Sequence, residues 1–372
     1  MAACHAGGLN IVDFGAKGDG VTDDTAAIQR ALDAAAPKNG TVYVPEGVFC
    51  CAGVHLPPHT GLVGEATWGY RGDKSGSCLK LNSDRATCLV DITGAVGATV
   101  NGLFLDGAGL GNGIHGIFMG PPAAPKKEED APRIERVQVC KFTGNGIHLS
   151  PAWCFSLRSS QIAFNKGDGL FLGGWDGFIL DCWFSGNGGA GIAAREHTAS
   201  VTITGNRVEW NKDGGIRLHG ANHYNITGNY IDRSGGPGIV LAPRGEGKSP
   251  CFCTSIVGNV IYRSGKPEWT TAGEETASCH ILLDGAHGIT CTGNTMCVGQ
   301  DDGGGVNSPD YGIIMRGLEN CIVKDNALHI GALKEIVRDL GGHGDGVVEK
   351  DNVGSLYRPK TLGEAIWVSG QI

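Results

Sequence analysis

A short phrase ending in asparagine returns through the second half of this 372-residue chain. It reads TITGN at 202–206, NITGN at 225–229, SIVGN at 255–259, TCTGN at 290–294 and IVKDN at 322–326. Each copy is followed by a short apolar-alternating stretch and preceded by a glycine-led one such as GIRLHG (215–220). Self-similarity at such a period marks a solenoid, in which one repeat cannot bury its apolar face alone and must stack on its neighbours. The reading is of one domain, 1–372, with an N-terminal cap at 1–40, rungs at 41–356 and a C-terminal tail at 357–372.

The asparagines act as a ruler. Positions 206, 229, 259, 294 and 326 are 23, 30, 35 and 32 residues apart, so 23 residues is the bare rung and the excess is insertion. Three residues before them lie Ile203, Ile226, Ile256, Cys291 and Val323. Two residues after them lie Val208, Ile231, Ile261, Met296 and Leu328. These are two inward columns of strand periodicity meeting at a corner. The asparagines are expected to stack as a ladder, each amide bonding the next. The glycine-led stretches GIHLS (146–150), GLFLG (169–173), GIRLH (215–219), GIVLA (238–242) and GIIMR (312–316) supply a third strand. Three short parallel strands per turn describe a parallel β-helix, an all-β solenoid. The start differs: DDTAAIQRALDAAA (23–36) has helical spacing with Asp and Thr as caps, and such a helix would cover the apolar end of the coil.

A formal charge of −8 argues against nucleic acid, which needs a basic footprint. No apolar run reaches the roughly 18 residues that span a membrane. The opening MAACHAGGLN lacks a signal peptide's charged and apolar regions, so the expected compartment is cytoplasmic, or secreted or periplasmic if a leader was removed. Of 14 cysteines, Cys291 and Cys321 occupy slots that other repeats fill with Ile or Val, so they read as core thiols. No Cys pair recurs at zinc-ligand spacing, and no metal or cofactor is assigned.

The stretch NIVDFGAKGDGVTDDTAAIQRAL (10–32), followed by GTVYVPEGVF (40–49), resembles the opening of the pectate-lyase/polygalacturonase superfamily of right-handed parallel β-helices. The resemblance implies that fold over nearly the whole chain, and a carbohydrate as the partner. It leaves activity open, since glycosidases, lyases, epimerases and phage tailspikes share the opening and fold does not fix function.

Insertions at 120–133, 243–253, 265–278 and 299–310 leave or re-enter the coil beside the glycine-led strands, so a groove walled by loops is expected along that sheet. Its outward positions include Phe118, His148, Phe171, Trp175, Arg244, Glu246, Asp284 and Arg316, the candidate substrate-binding residues. Rings beside polar groups suit a sugar, whose C–H faces lie on aromatics while its hydroxyls find hydrogen bonds. The central cluster of Arg195, Glu196, His197, Arg217 and His219, with Asp176, is the catalytic candidate, because basic groups crowded around a carboxylate tune pKa values for acid–base work.

Hydrolysis or transglycosylation needs two carboxylates, about 5–5.5 Å apart for retention and about 6.5–9.5 Å for inversion. Glu196 with Asp176 is the leading pair; Asp284, Glu246 and Asp301/Asp302 are alternatives. A lyase or epimerase instead needs a base at the carbon next to a uronate carboxylate and a cation on that carboxylate, which Arg195, Arg217 and His219 would supply. A non-catalytic glycan-binding or tailspike-like adhesin is the third reading. The acidic loop at Asp301 and Asp302 reads as a flexible loop, with weak Ca²⁺ binding as an alternative. Broad flat coil faces suggest side-by-side association as a homotrimer.

Overall fold

The computed structural model describes residues 8–70, 74–123, 128–195, 197–245, 249–266, 276–300, 302 and 305–358. They fall in two units, residues 1–188 and 189–372, each a stack of coils built from short parallel strands.

In the first unit the aspartates of the opening motif fold the loop that carries them. Asp19 accepts the backbone N–H groups of Val21 (2.9 Å) and Thr22 (2.7 Å), and Asp24 accepts those of Lys17 (2.7 Å) and Gly18 (3.1 Å). Asp24 is therefore spent on the loop, and Asp23 takes the backbone N–H of Thr25 at 3.1 Å as the helix begins. The helix runs Thr25–Ala35, slightly shorter than the sequence pattern suggested, and buries Ala27, Ile28, Ala31, Leu32 and Ala35. Its Gln29 amide takes both backbone groups of His55, accepting the N–H at 2.9 Å and donating to the carbonyl at 3.0 Å, so the helix seals a strand edge. The coil itself starts earlier than residue 41. Leu9–Asn10 already pairs with Val42 and Tyr43, and Asp19–Asp23 pairs with Val48 and Cys50.

The glycine-led strands of this unit align Val54–His55, Cys88–Asp91, His115–Met119, Ile147–Trp153 and Leu170–Leu180. A further sheet, carrying Cys78, Phe104, Gln138, Gln161 and Trp183 in one register column, is covered by the segment around Trp68 and Tyr70. Gln138 and Gln161 donate to the carbonyls of Gly69 (3.1 Å) and Tyr70 (3.3 Å), and the Tyr70 ring lies 4.7 Å from Trp183. Sequence reading had no signal for this cover, because the repeat says nothing about segments that leave it.

In the second unit the asparagine ladder is continuous. Asn206 donates to Asn229 (3.0 Å), Asn229 to Asn259 (2.9 Å), Asn259 to Asn294 (2.9 Å), Asn294 to Asn326 (2.9 Å) and Asn326 to Asn352 (2.8 Å). Asn352 extends the ladder one rung beyond the phrase by which it was recognised. The columns Ile203/Ile226/Ile256/Cys291/Val323 and Val208/Ile231/Ile261/Met296/Leu328 are in register and fully buried. The glycines divide into two kinds. Those preceding the ladder asparagines, such as Gly205 and Gly228, have φ of 66° and 63°, left-handed values that favour glycine. Those leading the third strand instead lie against the next coil: a Cβ on Gly215 would meet the Gly238 carbonyl oxygen at 2.3 Å. All described cysteines are free thiols. None of the described helices is long and apolar enough to cross a membrane.

Candidate functional site

Within the second unit the glycine-led strands Ala190–Ala194 and Gly214–His219 are paired with Ala193 opposite Arg217. Arg195 follows the first strand and Asp213 immediately precedes the second. The Asp213 carboxylate joins both cations: Oδ2 lies 2.7 Å from Arg195 Nη2, and Oδ1 accepts from Arg217 Nη1. Arg217 Nη1 also donates to the Asp213 carbonyl at 3.0 Å, so one turn holds the guanidinium at two points. All three side chains are partly exposed. His219, two residues along the same strand, has its pKa lowered to about 4, first by burial and then by the positive charges of Arg217 and Arg195. It is therefore a neutral imidazole at ordinary pH. Two buried polar atoms, Arg217 Nε and His219 Nδ1, have no hydrogen-bond partner within the protein. Partly exposed cations ordered by a carboxylate, beside a neutral imidazole, can receive an anionic ligand and move a proton.

Asp213 is not among the sequence-predicted residues because it sits in the turn before the strand Gly214–His219, where no periodicity marks it. The signal was present in KDGGIRLH, four residues before Arg217. Glu196, the carboxylate on which the hydrolase reading leaned, lies outside the described residues, as do Glu246 and Asp301. His197 is exposed. Arg244 sits at the corner following His219, where a Cβ on Gly220 would meet its own at 3.0 Å.

Further along the same unit the expected groove changes character. Asp284 and Arg316 face one another in register and form a two-point ion pair, at 2.8 and 2.6 Å. Both carboxylate oxygens of Asp284 thus bond Arg316, a pairing the sequence reading did not foresee. The outward column Val240, Leu282 and Ile314 is buried with Cys279 and Tyr311 instead of lining an open channel. Asp302 contacts Arg233 and lies 3.1 Å from Arg263, while Arg263 also holds Asp232 at 2.6 Å. No group of three or more metal-ligating side chains occurs among the described residues.

In the first unit, Phe118, His148 and Phe171 share one register column, which begins with His55 and Asp91. Phe118 and His148 stack at 5.0 Å, and His148 and Phe171 at 4.7 Å with planes 9° apart. His115 joins at 5.5 Å from Phe118 and 4.9 Å from His148; burial first, then His148, lowers its pKa to about 4. These rings stack on each other along the coil, and each remains partly exposed. Trp175 and Asp176 lie within the long strand Leu170–Leu180, at the corner where Asp176 takes a positive φ. The Asp176 carboxylate accepts the indole N–H of Trp153 at 2.7 Å, a partner not foreseen from the sequence.

Comparison with known proteins agrees with this architecture. Residues 8–81 match the family model described as rhamnogalacturonase A/epimerase, pectate lyase-like, and residues 127–263 match the right handed beta helix region. The mannuronan C5-epimerase AlgE2 of Azotobacter vinelandii is 27% identical over 272 residues, covering 69% of this chain and 25% of the relative. The chain thus spans about a quarter of the length of that relative. Among solved structures, the A-module of the Azotobacter vinelandii mannuronan C-5 epimerase AlgE6 superposes with a TM-score of 0.66 at 22% identity, covering 94% of this chain and all of the module. Tailspike protein 2 of an Escherichia coli O157:H7 bacteriophage gives 0.67 at 15% identity, covering 87% of this chain and 43% of the tailspike.

Proposed function

We propose that this right-handed parallel β-helix is an enzyme abstracting the C5 proton of a polysaccharide uronate, leading to epimerisation or β-elimination. The observation that carries the reading is the pairing, in one half-buried cluster, of a neutral His219 with guanidiniums ordered by Asp213. The proton next to a carboxylate is acidified when that carboxylate is neutralised. Arg217, through its outer Nη2 amino group, together with Arg195, would neutralise that carboxylate. His219, in the tautomer protonated on the buried Nδ1, takes the C5 proton at Nε2. A base that is neutral at working pH is ready without prior deprotonation. Return of a proton to the opposite face of the carbanion gives the epimer; loss of the C4 oxygen substituent gives an unsaturated uronate. The relatives named for mannuronan C5-epimerisation support a polyuronate as substrate. The hydrolase reading has weaker support, because Asp176 of its leading pair is engaged by the indole N–H of Trp153.

The test is incubation of the protein with polymannuronate, polygalacturonate and neutral glycans in D₂O. Deuterium at C5, or absorbance from a 4,5-unsaturated product, is expected with a polyuronate. New reducing ends with neither signal would overturn the proposal in favour of hydrolysis.

A further inference from the structure

We infer that the Trp153–Trp175 corner of the first unit is a separate glycan-binding site, built for a neutral pyranose. The strands Ile147–Trp153 and Leu170–Leu180 continue past their glycine-led cores with Trp153 opposite Trp175. Their backbones approach closely because small residues allow it. A Cβ on Gly174 would meet the Ala152 carbonyl oxygen at 1.9 Å, and one on Gly177 would strike the Phe155 ring at 2.1 Å. The backbone of Trp153 is tied on both sides, its N–H donating to the buried Asp130 carboxylate at 2.9 Å and its carbonyl accepting from Ala131 at 2.9 Å. The indole is fixed in turn by Asp176, a residue held at φ 58° in the corner.

Both indoles remain about two-fifths exposed, at 40% and 39%. Paired on adjacent strands, the two rings put exposed aromatic surface side by side, the kind of surface a sugar's C–H face can cover. The stacked column of Phe118, His148 and Phe171 provides the contrast within the same unit: those rings cover one another, whereas no aromatic partner covers Trp153 or Trp175 among the described residues. An exposed ring face beside a carboxylate oxygen that bonds nothing else, Asp176 Oδ1, matches a pyranose, whose C–H face lies on indole while a hydroxyl donates to the carboxylate.

Charge selects among sugars. Asp176, Glu129 and Asp130 gather around this corner, and their combined field is felt by Cys154, whose thiol is pushed up by burial first and then by these three carboxylates. Asp176 has no ion-pair partner among the described residues. A uronate would be repelled here, whereas a neutral sugar meets only hydrogen-bonding groups. This site stands independently of the cationic cluster of the second unit and of the reaction proposed for it.

The experiment titrates the full chain with neutral oligosaccharides (cello-, manno- and galacto-oligomers) and, separately, with oligomannuronate, following tryptophan fluorescence and saturation-transfer NMR. Because the chain has seven tryptophans, Trp153→Ala and Trp175→Ala are run in parallel to attribute the signal, with thermal melts to verify folding. At least one neutral series is expected to bind, and each variant to weaken it by roughly tenfold or more. Trp175→Phe, which keeps a ring, should retain part of the affinity if either truncation disturbs folding. Asp176→Asn should admit oligomannuronate more readily. Failure of every neutral series to bind, or binding unchanged in both alanine variants, overturns the proposal.

Discussion

Two outward clusters on glycine-led strands invite comparison. In the first unit, Phe118, His148, Phe171 and His115 form a stack in which each ring faces another ring. In the second, Arg195, Asp213, Arg217 and His219 form a charged group that leaves Arg217 Nε and His219 Nδ1 with unused bonding capacity. The scaffold is the same kind of strand in both. The difference is whether the side chains satisfy one another. A satisfied column contributes to stability, whereas an incompletely satisfied and partly exposed one is prepared for a ligand. Burial alone does not draw this line. His280 Nδ1 is also without a partner, yet its side chain is sealed in the core, where no substrate reaches.

The comparison breaks most visibly at His219. His219→Ala is expected to lower kcat on a polyuronate by roughly 10²–10⁴-fold, the usual worth of a positioned general base, while leaving the melting temperature nearly unchanged. A large fall in melting temperature with little loss of activity would place this cluster with the structural stack. Asn259→Ala, within the ladder, should do the reverse. It leaves the amide and carbonyl partners of a buried residue unpaired, costing about 1–3 kcal/mol by denaturant titration. Phe171→Ala should cost a smaller amount, about 1–2 kcal/mol, since the ring is half-exposed and its face is used only by His148.

The mildest distinction is in pH. His115 and His219 both have folded pKa values near 4 against an ordinary 6.5, so between these values the unfolded chain binds more protons than the folded one. Stability should therefore be full above about pH 6.5 and fall as pH drops towards 4. His115→Gln and His219→Gln should each flatten that slope when unfolding is measured across the range. Only the His219 group should set an activity limb, with rate constant near neutrality and lost as pH falls through about 4.

Much of the fold was legible because a repeat states its own geometry. The asparagine spacing separated rung from insertion, and the Ile203 and Val208 columns followed from alternation about a fixed corner. Asn352 was overlooked since its preceding phrase had drifted to VEKD. The candidate cluster was legible in part: strand alternation puts Arg195, Arg217 and His219 near one another on neighbouring rungs. Asp213 was not, because a turn residue carries no periodicity and its partners are named only by where long side chains reach. The pairing of Asp284 with Arg316 was hidden for the same reason, as two residues 32 positions apart become neighbours only when rungs stack.

The sequence by itself determined the coil and its inward columns, since those depend on the period-two alternation of side chains and the register imposed by the ladder. Only the tertiary structure decided which outward groups are spent on each other. It matched Phe171 with His148 and Arg316 with Asp284, and left Arg217, His219, Trp153 and Trp175 with capacity to spare. Side-chain satisfaction depends on reach and orientation across rungs, and a linear repeat does not encode either.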